Sequence, residues 1–233
     1  MDVTIGRREF RLLAGGGVYW PAERALLVAD THFGKEATFR RASIAVPAGS
    51  TAGTIDSLSA MIGQTDPDRV VFLGDLFHAK TSLSESIRRS VGQFLRGHDG
   101  IEFVLVRGNH DAATGRLPDD WSITDVGPRW RLHDVALEHF PADPPEGCSL
   151  LMCGHLHPAV RLRHGDDKMG KLPCFWLAGE TLVLPAMGEF TGTATIDPRP
   201  GDRVWVTAGD AVIEHRHEVA RKLGRRQRAA TRR

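Results

Sequence analysis

A series of short apolar runs, each closing on a polar residue or on the glycine before one, constrains this chain more than any other feature. They are Ala25 to Asp30, Val70 to Asp75, Phe103 to Gly108, Val135 to His139 and Leu150 to His155. Continuous runs of this length suit strands buried on both faces, with helices outside. Two intervening segments have helical spacing: Thr51 to Met61, through Ile55, Leu58 and Met61, and Ser82 to Leu95, through Ile87, Val91, Phe94 and Leu95. Strand–helix–strand order as far as about residue 108 implies right-handed parallel crossovers. From Val135 to His215 the chain is richer in strands, with turn signals at Pro173, Pro185, Pro198-Arg199-Pro200-Gly201 and Gly209-Asp210. The expected class is α/β: two packed mixed sheets with a helical layer against the first. Residues 1–215 form one domain in this reading, followed by a basic, flexible tail over 216–233.

Composition excludes several classes. Hydrophobic residues at 41% and charged residues at 25% are ordinary for a soluble globular chain. No stretch is apolar enough for a membrane helix, and Met1 to Phe10 does not resemble a signal peptide. Cys148, Cys153 and Cys174 lack a metal-binding spacing and read as reduced thiols in a cytoplasmic protein. The net charge of +1 hides an asymmetry: the tail has eight Lys or Arg against Glu218, hence +7, leaving −6 for the body. An acidic body that handles an anionic substrate needs metal cations to offset its own field. The tail either tracks a phosphate backbone or is simply a solvated end.

The polar residues at the run ends include many metal-ligand types. Asp30-Thr31-His32 puts a carboxylate and an imidazole at i and i+2, which in an extended chain point the same way. Gly74-Asp75 supplies a second carboxylate, able to bridge two cations, beside a glycine that permits close approach. Gly108-Asn109-His110-Asp111 adds a neutral amide oxygen, Gly154-His155-Leu156-His157 two imidazoles, and His139 stands alone. Taken singly, each has a bland reading, since Asp after a strand usually caps a helix or forms a turn, and buried His is usually hydrogen-bonded core. Together they occupy the strand ends where α/β sheets bind ligands, and their chemistry suits a pair of divalent ions. Burying them without metal would leave a costly cluster. The expected ligands are Asp30, His32, Asp75, Asn109, His139, His155 and His157.

The ordered set Asp-x-His, Gly-Asp, Gly-Asn-His-Asp, lone His and Gly-His-x-His resembles the calcineurin-like metallophosphoesterase superfamily. That resemblance implies a four-layer α/β/β/α sandwich of two mixed sheets flanked by helices. It implies one ion on Asp30, His32 and His157, another on Asn109, His139 and His155, and Asp75 bridging. It also places His110 outside the ligand set, near the leaving group. The stretches His32 to Arg40, Leu73 to His78, Gly154 to Val160, Leu172 to Phe175 and Gly188 to Gly192 are similar to the ligase-associated DNA damage response endonuclease family (PdeM), over about residues 20 to 195. This likeness implies a manganese-dependent DNA endonuclease of DNA repair, with Fe or Zn also compatible with the ligands. Its implied substrate is DNA with single-stranded regions. Its implied functional associates are an ATP-dependent DNA ligase, a helicase and an exonuclease. Leu73 to His78 also resembles double-strand-break repair nucleases, which makes His78 a second catalytic candidate.

The expected mechanism is in-line attack by a two-metal-activated hydroxide, with His110 protonating the departing sugar oxygen. Asp111 either orients His110 or caps the next helix. Lys35, Arg40 and Arg41 either meet a DNA phosphate or form a solvated helix face. Trp121, Trp130, Trp176 and Trp205 read mostly as core. Protein phosphatases typically follow Gly-Asp with Asp-Arg-Gly and use Gly-Asn-His-Glu, and this chain departs from both patterns. A phosphodiesterase for cyclic nucleotides or another small molecule would need the same metals and stays open. A non-catalytic scaffold would usually have lost ligands.

Overall fold

Strict alternation of side chains along three parallel strands explains how one sheet serves two cores. The computed structural model describes residues 1–41, 49–79, 82–164, 167–189 and 191–215. Its first sheet, among the described residues, runs in chain order: β1 (Asp2–Ile5), β2 (Arg8–Leu12), β3 (Val18–Trp20), β4 (Ala25–Val28), β5 (Arg69–Leu73), β6 (Glu102–Val106) and β7 (Ile123–Asp125). Strands β1 to β4 form an antiparallel meander, and β4 to β7 are parallel. Leu27, Val71 and Val104 lie in register and face one way, while Val28, Phe72 and Leu105 face the other.

The second face is covered by helices α2 (Ser50–Thr65) and α3 (Glu85–Gly97), which are the crossovers. Leu58, Met61 and Ile62 of α2, with Ile87, Val91, Phe94 and Leu95 of α3, pack onto it. Ser84 caps α3, its hydroxyl accepting from the Ile87 amide at 3.4 Å. Two short helices, α1 (Lys35–Arg41) and α4 (Asn109–Thr114), follow β4 and β6. Both expected helices are present, longer or shifted by a few residues, as frayed helix ends usually are.

The opposite face meets a second sheet built from β8 (Arg129–Leu132), β9 (Val135–Glu138), β10 (Leu150–Cys153), β11 (Pro158–His164), β12 (Asp167–Ala178), β13 (Thr181–Val183), β14 (Ala194–Thr195), β15 (Arg203–Ala208) and β16 (Ala211–His215). Its central strands β9, β10 and β13 are parallel. Val135, Leu137, Leu150, Met152, Phe175 and Trp205 fill the space against Leu27, Val71 and Val104. The result is the expected α/β architecture of two packed mixed sheets. Its helices lie on the first sheet; among the described residues the second sheet carries no helix, and its outer face holds two small apolar clusters around Leu151 and Cys174. Trp121 and Trp205 are buried, while Trp130 and Trp176 are partly so. Among the described residues no helix is long and apolar enough to cross a membrane. The basic tail lies outside them, as do the side chains of Arg40 and Arg41.

Candidate metal centre

Parallel strands bring their carboxyl ends together, and here two such sets of ends meet from different sheets. The loops after β4 and β5 run side by side, with Asp30, His32 and Phe33 amides donating to Gly74, Asp75 and Leu76 carbonyls at 3.2, 3.0 and 2.8 Å. From the second sheet, the His155 amide donates to Asp30 Oδ2 at 2.8 Å, and His139 Nδ1 lies 3.1 Å from the Leu73 carbonyl. The chain after β13 crosses back as well, the Gly188 amide donating to the Asp30 carbonyl at 3.0 Å.

The i, i+2 pairs do not work through an extended chain. Asp30, His32, Asp75, His155 and His157 all have left-handed backbones, with φ between 47° and 70°. Asp and His tolerate this region better than most residues, yet each still costs about 1–3 kcal/mol. Such clustered strain marks a site whose geometry is held by its surroundings. The motif glycines have a steric reason: a Cβ on Gly74 would overlap the His139 ring, on Gly108 the Asp75 carboxylate, and on Gly154 the Asp30 carboxylate.

Two groups of side chains result, each with ligand atoms within 4.8 Å of one another: Asp30, His32 and His157, and Asp75, His139 and His155. His155 and His157 therefore serve different groups rather than one pocket. In the first, His157 Nε2 is 3.4 Å from Asp30 Oδ1. In the second, His139 Nε2 is 3.4 Å from Asp75 Oδ2 and 3.1 Å from both Asn109 Oδ1 and His155 Nδ1. The other oxygen of Asp75 accepts from the His110 amide at 3.0 Å. All seven expected ligands are thus brought together.

The donor atoms fit cations. Among the described residues, Asp30 Oδ1 and both ring nitrogens of His32 are buried without a hydrogen-bond partner, an expensive arrangement unless an ion takes their lone pairs. Burial first, and the nearby Lys35 charge second, push the His32 pKa down to about 3, so its ring is a neutral donor. His139 and His157 place Nδ1 within hydrogen-bond distance of the Leu73 and Gly192 carbonyls. A proton on Nδ1 then leaves each Nε2 free as a ligand. The Gly192 role was missed in the sequence, where Gly188 to Gly192 carried only a family likeness. Burial disfavours charge on His139, but its bond to Asp75 outweighs this and raises its pKa.

His110 and His78 lie beside the groups. Their rings stack at 5.2 Å between centroids, and each meets the His32 ring edge-on at about that spacing. His110 Nε2 is 3.8 Å from Asp75 Oδ2 and partly exposed. His78 has its pKa lowered by burial, then by Lys35 and His110. Asp111 is a cap: its carboxylate accepts from the Gly108 and Phe77 amides at 2.9 and 3.3 Å. Its burial pushes the pKa up to about 6. On the far rim, Phe140 is 48% exposed while its ring packs 4.8 Å from His139 and 4.5 Å from His155.

No curated protein matches the chain in sequence. The fold is similar to the crystal structure of the Pseudomonas putida nuclease MPE, at 34% identity and a TM-score of 0.79, covering 92% of this chain and 99% of that one. The E. coli phosphoesterase Yfce is a remoter structure, at 18% identity and a TM-score of 0.41, covering 81% and 90% of the two chains. Over residues 23–157 the sequence matches the calcineurin-like phosphoesterase family. With its motifs gathered into two cation-ready groups at the junction of two sheets, the chain belongs to the calcineurin-like phosphoesterase family.

Proposed function

We propose that this chain is a manganese-dependent DNA endonuclease that hydrolyses phosphodiesters in single-stranded regions during repair. The observation that carries the reading is the likeness to a nuclease along nearly the whole of both chains, combined with a complete ligand set. Asp30, His32 and His157 would hold one ion and Asn109, His139 and His155 the other, with Asp75 available to both. Two divalent ions held there supply activation of a water molecule and neutralisation of charge at phosphorus. The protein residues do the rest. His110, exposed on one side and beside Asp75, gives a proton to the departing sugar oxygen, and His78 stacks on it to fix its orientation. The exposed Phe140 ring offers a face on which an unpaired base can stack.

The test is a substrate panel with manganese: circular single-stranded DNA, a cyclic nucleotide, a phosphopeptide and an aryl phosphodiester, run beside metal analysis. Internal cleavage of the circle supports the endonuclease; activity confined to the cyclic nucleotide overturns it. Asp75→Ala should lose both metal and hydrolysis, and a variant still active with manganese would end the shared-carboxylate arrangement.

A further inference from the structure

We infer that Lys35 contacts the scissile phosphate directly, its ammonium donating to a non-bridging oxygen of the substrate. This rests on the phosphoesterase reading above and adds a residue to it. Lys35 opens α1 just after the Asp30–His32 loop and is only 7% exposed, so it is not on a solvated helix face. Lysine is almost never buried to this degree unless paired. Among the described residues no carboxylate forms an ion pair with it. Its Nζ instead sits 5.7 Å from the centre of the Phe39 ring, whose other neighbour is His78 at 6.0 Å.

The Phe39 ring thus links the ammonium to the side of the site where His78 and His110 stack. The Lys35 amide donates to the His32 carbonyl at 3.2 Å, which seats the start of α1 on the ligand loop itself. Burial disfavours the charge itself, and Asp30 only partly compensates.

The lysine is fixed in this place by its neighbours. Phe33 bridges to Phe77, the Gly34 amide donates to Thr51 Oγ1 at 2.9 Å, and Glu36 accepts from the Ser50 and Thr51 hydroxyls at 2.5 and 3.1 Å. These contacts anchor the start of α1 on both sides of Lys35, so its backbone is held at the edge of the site. Two divalent ions would more than neutralise Asp30 and Asp75, leaving Lys35 as surplus positive charge. An incoming phosphodiester, with negative charge growing on its oxygens during attack, is the anion that satisfies it.

The experiment titrates inorganic phosphate into the manganese-loaded protein by calorimetry, for the parent, Lys35→Gln, Lys35→Met and Lys35→Arg. Both neutral variants should keep the parent's metal content and bind phosphate about tenfold or more weakly, the worth of a charge-assisted hydrogen bond. Lys35→Arg should retain most of the affinity. Turnover of an aryl phosphodiester should fall in the same order. Lys35→Met removes a buried charge without opening a cavity, so it covers the case in which Lys35→Gln folds poorly. Undiminished phosphate affinity at full metal content overturns the inference, and so does loss of metal in the neutral variants. Failure of the DNA reading shows separately, as aryl diester cleavage without DNA cleavage, and the phosphate titration still decides the role of Lys35.

Discussion

Asp75 uses its two oxygens differently, one fixed by the His110 amide and the other turned toward His139. The same backbone contact sets His110 beside the two groups, its Nε2 3.8 Å from Asp75 Oδ2. His110→Ala should therefore keep its metal but lose about 10²–10⁴-fold in turnover of diesters with poor leaving groups. Aryl diesters, whose leaving groups need no proton, should be hit far less; equal losses on both would remove His110 from the acid role. Asp111 has a structural role with its own pH signature. Its pKa in the fold, about 6, lies above the ordinary 3.8, so its contribution to stability is fully present below pH 4 and lost as pH rises through 6. Asp111→Asn should gain relative to the parent over that window, by roughly 3 kcal/mol at most. Urea unfolding of the metal-free proteins at pH 4, 5.5 and 7 measures it, and a pH-independent difference would contradict it.

Among the elements, the decisive contact is between the start of α4 and the end of β5. Gly108 has φ −93°, a conformation open to any residue, so the cost of a side chain there is steric. Gly108→Ala would press on the Asp75 carboxylate and should weaken metal affinity by about 10–100-fold, as displacement of an orienting neighbour does. Metal titration with a competing chelator reads this, and unchanged affinity would show that α4 can yield. The i, i+2 spacing of an extended chain named residues that do come together, but not through that geometry. Left-handed turns after the strands, pinned by bonds between neighbouring loops, direct the side chains.

For the whole molecule, the site depends on two sheets keeping their relative position. Trp205 is fully buried between them and belongs to the same apolar cluster as Leu27 and Val104. Trp205→Ala should cost about 3–5 kcal/mol in chemical denaturation. Because His155 and His139 reach Asp30 and Leu73 across that junction, metal affinity should fall with it. A loss of stability with metal affinity untouched would mean the junction holds without its core.

The sequence by itself determined the strands Ala25–Val28, Arg69–Leu73, Glu102–Val106, Val135–Glu138 and Leu150–Cys153, because continuous burial leaves a local apolar signature. It also determined which side-chain types gather at the strand ends, the Asp, His and Asn that the two groups bring together. Tertiary structure alone decided the rest. The opening strands β1 to β3 were not foreseen: polar residues alternate along β1 and β2, and β3 is only three residues long. The parting of His155 and His157 to different groups was implied by the family likeness, but the left-handed backbone at both positions is something spacing cannot reveal. Asp111 became a cap and Lys35 a buried cation for the same reason. Burial and partners come from residues distant in the chain, and a local pattern carries no record of them.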